Sequence, residues 1–225
     1  MSTGLIGYLP LLLKAAGTTL WLSWLAMLLG VAGGTMLGVM RTSPWRALRV
    51  AALLYTEFFR SIPILIVMFF AYFGVPLFLG HDLSPFAAAT LALALHASAS
   101  MAEVVRAGIE SVGRGQWEAA RAFGLRYWPI MRLVVLPQAA LVIVPPSVGV
   151  FITVLKESTL ASIIGYIELT KTGLLIREST DGGFAPLLAL AMLYFIINYA
   201  ISLGGRALEL RFHAGRPGVR AAAHR

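Results

Sequence analysis

Long apolar stretches, separated by short charged segments, dominate this chain. Five of them are long enough to cross the hydrocarbon core of a bilayer, which takes about 20 residues of helix. They are 18–40, 60–79, 85–105, 138–155 and 184–204. Pro145 and Pro146 lie in the middle of the fourth stretch, and because proline removes backbone donors we expect the helix to break there. The pattern predicts an all-α integral membrane protein with about five transmembrane helices.

Composition supports a membrane protein and removes several other classes. Hydrophobic residues make up 59% of the chain, charged residues only 12%, and the mean hydropathy is +0.82. A soluble domain of this composition would lack the polar surface that it needs. The absence of cysteine excludes disulfides, catalytic thiols and thiolate metal sites. No two of the four histidines have the helical spacing of a zinc site, so we expect no metal.

Lysine and arginine are distributed unevenly between the two sets of loops, which predicts the orientation. With the N-terminus outside, 13 of the 18 basic residues fall in cytoplasmic segments and 4 in outside segments, while Arg60 lies at a boundary. The sequence thus predicts an extracytoplasmic segment over 1–17, a cytoplasmic loop over 106–137 and a basic cytoplasmic tail over 206–225. Orientation and anionic lipid then explain the net charge of +8, and no nucleic-acid partner is expected.

The cytoplasmic loop contains a helix-compatible segment, EAARAFGLRYWPIMRLVVLP, over 118–137. Glu118, Ala119 and Ala120 favour a helix, and Gly124 can adopt the positive φ that ends one. A second helical turn after it completes a helix-turn-helix at the membrane surface. The alternative is a solvated loop that only joins two spans.

Polar side chains recur on one face of the third stretch. His96, Ser100 and Glu103 are four and three residues apart, so a helix places them on the same side. Arg106 follows Glu103 by three residues and is expected to pair with it near the cytoplasmic surface. Ionisable groups at membrane depth usually face a bundle interior or an aqueous path. The pattern predicts either the lining of a translocation path or a polar seam between helices.

Gly30, Gly34 and Gly38 form a stripe of small residues on one face of the first stretch. Such stripes let helices approach closely in lipid, where packing replaces the hydrophobic drive. We expect this helix to have a tightly packed neighbour, either within the subunit or across a dimer.

A polar group of residues follows the fourth stretch. A helix that ends at membrane depth exposes carbonyl and hydroxyl groups to a solute. Glu157 is the candidate for contacting a positively charged group of the substrate, with Ser158 and Thr159 beside it. The alternative is an ordinary solvated helix end.

Two further motifs flank the start and end of the second stretch. The segment FFRSIP contains Arg60 and Pro63, and YFGVP contains Gly74. Together with the EAA segment, which ends at Pro137, these motifs resemble the permease subunits of bacterial ABC importers for polar amino acids. Within that class, the chain is similar to the histidine, glutamine and arginine permease-like group of type I importers.

The resemblance implies a transmembrane domain over 18–205 in the bacterial inner membrane, and several partners. A cytoplasmic ATPase dimer would bind ATP and Mg²⁺, because this chain has no phosphate-binding loop; no cofactor and no enzymatic activity are expected of the chain itself. An extracytoplasmic solute-binding protein would deliver a polar amino acid, and a second permease subunit would complete the pathway. The ATPase would dock on Glu118, Ala119, Ala120, Gly124 and Pro137.

Two departures from the family pattern leave the substrate open. Ser100 stands where Tyr is common and Gly149 where Asn is common, and both are expected near the pathway. Another small polar solute, such as an opine or a polyamine-like amine, is the alternative cargo. A secondary transporter would use the same polar groups but leaves the EAA spacing unexplained. A membrane enzyme would need a catalytic constellation, and His96 and Glu103 have no further partner in the motif.

Overall fold

The computed structural model describes residues 5–180 and 183–214, and within these ranges every regular element is a helix. Four helices are long and apolar enough to cross a membrane alone, and a bent pair forms a fifth candidate span, which confirms the all-α membrane fold. Most of the predicted basic tail, from residue 215 on, lies outside the described residues. In chain order the helices are α1 (Leu9–Arg41), α2 (Arg46–Ser61), α3 (Ile64–Phe69), α4 (Val75–Leu79), α5 (Pro85–Glu110), α6 (Arg114–Ala122), α7 (Tyr127–Ile130), α8 (Leu136–Glu157), α9 (Leu169–Ser179) and α10 (Ala185–Ala214).

Helices α1 and α5 form the centre of the fold and run side by side in the same direction. Gly30 of α1 lies against Ala97 of α5. Eight residues further along, Gly38 lies against Val105. The neighbour of the glycine stripe is therefore a helix of the same chain. α1 begins at Leu9, nine residues before the apolar stretch predicted from 18, so residues 9–17 are part of the helix.

The second candidate span is sharply bent. α2 and the helix that follows it meet at an angle of 101°. Pro63 has no N–H with which to continue α2, and the preceding Ile62 has extended backbone angles, with φ −91° and ψ 131°. The apolar helix therefore begins at Ile64 rather than at residue 60. Arg60 belongs to α2, and the bend places it beside α5.

Two short π-helical segments interrupt the helices, and each lies just before a proline. Phe70–Gly74 is followed by Pro76, and Met131–Val135 is followed by Pro137. A proline within a helix removes one donor and pushes its ring against the preceding turn. A wider turn accommodates that ring without ending the helix. Each span therefore continues through its proline.

Helix α8 runs without interruption past Pro145 and Pro146, so the break expected at these residues is wrong. The two prolines deprive only the carbonyl groups of Leu141 and Val142 of their usual helical donors. In an apolar environment every other backbone group gains by keeping its helical bond. The helix ends instead at Glu157, where a 3₁₀ segment begins.

The outer parts of the fold are covered unequally. α9 and α10 pack against the first half of α1 through a cluster that includes Leu12, Leu169 and Ile176. In the apolar window of α5, 61% of the residues are buried within the chain, compared with 17% for the span that contains α8 and 6% for α10. Few residues of these two long apolar helices are thus fully buried within this chain.

Candidate translocation site and coupling surface

A polar cavity of about 290 Å³ lies between α5 and α8. Gly149, Thr153 and Glu157 recur every four residues and therefore share one face of α8, while His96 and Ser100 share one face of α5. These two faces are turned toward each other across the cavity. The full lining is His96, Ala97, Ser100, Pro146, Gly149, Val150, Thr153, Val154 and Glu157.

His96 and Glu157 approach each other in this cavity. Nδ1 of His96 donates a hydrogen bond to the carbonyl oxygen of Phe59 over 3.1 Å. This bond orients the ring so that Nε2 lies 3.4 Å from Oε1 of Glu157. The other carboxylate oxygen, Oε2, is buried and has no hydrogen-bond partner in the described part of the chain. Since a buried polar atom is costly without a partner, the Glu157 carboxylate at this wall retains hydrogen-bonding capacity that the described part of the chain does not satisfy.

The sequence analysis identified part of this lining. His96, Ser100 and Glu157 were predicted for the pathway, and the structure brings all three to the cavity. Gly149, singled out as a departure from the family pattern, also lies there. Thr153 was missed, although its spacing of four residues from Glu157 was the available signal. Across residues 5–180 and 183–214, no three His, Cys, Asp or Glu side chains are grouped so as to hold a metal ion.

Glu103 does not line this cavity, although it shares a face of α5 with His96. It forms an ion pair with Arg41 at the end of α1. It also pairs with Arg106 at 2.8 Å, as the spacing predicts, and lies 3.7 Å from Arg60 of α2. These contacts join three helices around one carboxylate. The geometry of Glu103 is that of a polar seam rather than of a cavity lining.

Ser158 and Thr159 lie at the end of α8 but outside the cavity lining. The Ser158 hydroxyl is buried and donates to the carbonyl of Leu155 over 2.8 Å. The Thr159 hydroxyl donates to the carbonyl of Lys156 over 2.7 Å. Both side chains satisfy carbonyl groups that the end of the helix leaves without donors. Their geometry is that of a helix end, so Glu157 alone represents this motif in the cavity.

The loop predicted to be cytoplasmic contains α6 and a tight turn, which agrees with the predicted helix and turn. Glu118 and Ala119 are exposed, whereas Ala120 is 5% exposed and packs in a core cluster of its own chain. Gly124 has φ +75°, the left-handed conformation that ends a helix at low cost. Next to it the ring of Phe123 is 86% exposed. The exposed Phe123 thus lies on the same short segment as the exposed Glu118 and Ala119.

Three other motif residues shape the backbone. Pro63 lies at the bend between α2 and α3, and Pro137 is exposed at the second position of α8. A Cβ atom added to Gly74 would lie 2.8 Å from the ring of Phe70, so a larger residue here would require this ring to move. None of the three lines the cavity.

Glu168 is a fully buried residue that the sequence analysis missed. Its carboxylate caps α9 by accepting the backbone N–H groups of Thr170 and Lys171, each over 2.9 Å. It also accepts the hydroxyls of Tyr194 of α10, over 2.9 Å, and Thr19 of α1, over 3.3 Å. Burial raises the pKa of the Glu168 carboxyl, although these hydrogen bonds oppose the shift. No sequence signal identified it, because Ser, Thr, Asp and Asn rather than Glu are the usual residues directly before a helix.

Comparison with known proteins separates an importer subunit from other helical membrane proteins. The family described as "Binding-protein-dependent transport system inner membrane component" matches residues 30–214. The chain belongs to this family. The family assignment inferred from the FFRSIP, YFGVP and EAA segments is thereby confirmed, and the chain is a membrane permease rather than an enzyme.

Individual relatives cover almost the whole permease. It is 34% identical over 203 residues to the probable amino-acid ABC transporter permease protein YckA of Bacillus subtilis (strain 168), covering 90% of this chain and 89% of the relative. It is 37% identical over 196 residues to the probable glutamine ABC transporter permease protein GlnP of the same organism, covering 86% and 89%. Among solved structures, a chain of "an amino acid ABC transporter with histidines" matches with a TM-score of 0.85 at 34% identity, covering 94% of this chain and 100% of that chain. The permease therefore has the type I ABC importer fold.

Proposed function

We propose that the permease carries a polar amino acid through the cavity between α5 and α8, in an importer driven by ATP. The observation that carries the proposal is the Glu157 carboxylate, which lines the cavity beside His96 and has one oxygen without a hydrogen-bond partner in the described part of the chain. Every amino acid has a cationic ammonium group, and some have a second cation in the side chain. The names of the relatives, which refer to amino acids and glutamine, support the same class of cargo.

The chemistry of the lining favours a positively charged group. Glu157 contributes a carboxylate, Ser100 and Thr153 contribute hydroxyls, and among the described residues His96 is the one basic side chain in the lining. In an environment of low dielectric constant, an ammonium or guanidinium group that reaches the Glu157 carboxylate forms a strong, charge-assisted hydrogen bond. Amine-bearing solutes such as opines and polyamines share this chemistry, and the ammonium group is the feature common to all of them.

Transport is coupled through the exposed surface of α6. We assign the docking of a cytoplasmic ATPase dimer to Glu118, Ala119 and the neighbouring Phe123, because all three are exposed on one short segment. Ala120 supports this surface from within the chain. The chain has no phosphate-binding loop, so ATP and Mg²⁺ belong to the ATPase.

A second permease subunit completes the pathway. Few residues of the apolar helices α8 and α10 are fully buried, and the cavity wall at Pro146, Gly149 and Thr153 is exposed in the single chain. A partner with the same fold closes this side. The excess of basic residues in the cytoplasmic loops supports an outside N-terminus and a cytoplasmic C-terminus in the bacterial inner membrane. An extracytoplasmic binding protein delivers the cargo from the N-terminal side.

Single cysteines test the site directly, because the natural chain has none. Cysteines at Ser100 and Thr153, in the assembled transporter, should react with a small water-soluble thiol reagent and be protected by the transported amino acid. Ala99, which is fully buried on α5, provides the unreactive control, and Ile167, which is 61% exposed, provides the reactive control. If only the Ile167 position reacts in every nucleotide state, these residues form a packed seam and the proposal is wrong.

A further inference from the structure

Gly149 is a glycine that neither packing nor backbone conformation requires. A Cβ atom added to it would meet no atom within 4 Å, and its φ does not lie in the left-handed range. In contrast, a Cβ on Gly34, Gly108 or Gly205 would lie less than 3 Å from a neighbouring atom. Glycine is among the poorest residues for the interior of a helix, and Gly149 lies well inside α8. Within this chain, the absence of a side chain at position 149 leaves the space beside it open.

That space belongs to the cavity that holds Glu157. Gly149 and Glu157 are eight residues apart on one face of α8, which is roughly 12 Å along the helix axis. On the opposite wall, formed by α5, Ala97 and Ser100 also have small side chains that leave space in the cavity. The cavity thus extends along α8 from Glu157 to the region beside Gly149.

We propose that Gly149 and Ser100 are specificity-determining residues that admit an amino acid with a long side chain. The inference rests on the proposed function, because it takes Glu157 as the anchor of one cationic group of the cargo. Either the α-ammonium group or a cationic side-chain group of the cargo binds Glu157. In both cases the other end of a long amino acid reaches the space beside Gly149. A side chain at position 149 shortens the cavity from that end and leaves the anchor intact.

The test measures equilibrium binding to the permease in complex with its ATPase, without the binding protein, so that only the cavity selects. The probes are alanine, glutamine and arginine, which differ in length. Gly149→Val should weaken the binding of arginine by about tenfold or more and that of alanine by less than about threefold, because a steric wall rejects only what reaches it. Gly149→Ala should have a smaller effect in the same order. Gly17→Val, at a glycine that also meets nothing within 4 Å but lies far along α1, is the control and should change neither.

Two further variants make every outcome decisive. If Gly149→Val prevents assembly because position 149 contacts the second subunit, Ser100→Val serves instead. It narrows the cavity from α5 and must show the same dependence of binding on the length of the probe. A uniform loss for all three probes, or no change, in both variants overturns the inference. If the unmodified complex binds none of the probes, or Glu157→Gln leaves their affinities unchanged, the proposed function itself fails. If Glu157→Gln weakens binding and length does not matter, only this inference fails.

Discussion

Replacing Gly34 with alanine tests whether the approach of α1 to α5 depends on the glycine stripe. The added Cβ atom would lie 2.4 Å from Cβ of Met101 and 2.8 Å from the carbonyl oxygen of Ser98. Ordinary contact begins at 3.4 Å. Because the carbonyl is part of the α5 backbone, no rotation of a side chain relieves the overlap. The two helices must move apart by about 1 Å, the difference between 3.4 and 2.4 Å.

The cost of this separation follows from two opposing effects. Overpacking of a well-packed interior costs about 1–3 kcal/mol. Alanine in place of glycine stabilises a helix by about 1 kcal/mol. Gly17 lies in the same helix, is exposed and meets nothing within 4 Å, so Gly17→Ala should show only the second effect. The free energy of unfolding of Gly34→Ala should therefore be about 1–3 kcal/mol below that of Gly17→Ala.

The measurement is unfolding of the purified permease in mixed micelles by increasing amounts of dodecyl sulfate, followed by circular dichroism. We expect Gly34→Ala to unfold at a lower fraction of dodecyl sulfate than the unmodified chain, and Gly17→Ala at an equal or higher fraction. Gly34→Val, with two more methyl groups at the same place, should lower the midpoint further. Equal midpoints for the two alanine variants would refute the packing argument.

Three other predictions address coupling, orientation and pH. Gly124→Val strains a turn with φ +75° and should abolish transport while membrane insertion stays normal; normal uptake would contradict the docking role of this turn. A reporter fused after Gly115 should report the cytoplasm, and a signal from outside would overturn both the orientation and the docking surface. Since burial raises the pKa of Glu168 above 4.5, the folded state binds a proton more readily than the unfolded state, and the free energy of unfolding should fall as the pH rises above 4.5. Glu168→Gln should weaken this pH dependence, and an unchanged slope would contradict the assignment.

Local patterns made much of the fold predictable. Apolar stretches identified the candidate spans because lipid demands uninterrupted helices of sufficient length. The ion pair of Glu103 with Arg106 and the left-handed Gly124 depend on neighbours within a few residues, which the sequence displays directly. The glycine stripe indicated a close neighbour, but the identity of that neighbour required the fold.

Contacts between distant segments were not predictable. Glu168 joins helices that begin at Leu9 and Ala185, and no local pattern reveals the hydroxyls that surround it. His96 and Glu103 share a helix face but have different partners. The bend after α2 brings the carbonyl of Phe59 to His96 and the side chain of Arg60 to Glu103. The break predicted at Pro145 and Pro146 does not occur, and α8 continues to Glu157. In an apolar environment, the gain from all other helical hydrogen bonds outweighs the loss of two donors at these prolines.

The central claim is that Glu157 binds the cargo within the membrane, and uptake by the Glu157→Gln variant tests it most directly. The permease, its ATPase and its binding protein are reconstituted in proteoliposomes, and amino acid uptake and ATP hydrolysis are measured on the same preparation. Loss of a charge-assisted hydrogen bond of about 1.5–3 kcal/mol should raise the cargo concentration for half-maximal uptake by about tenfold or more, while hydrolysis at saturating cargo is retained. Uptake by Glu157→Gln equal to that of the unmodified transporter would contradict the account.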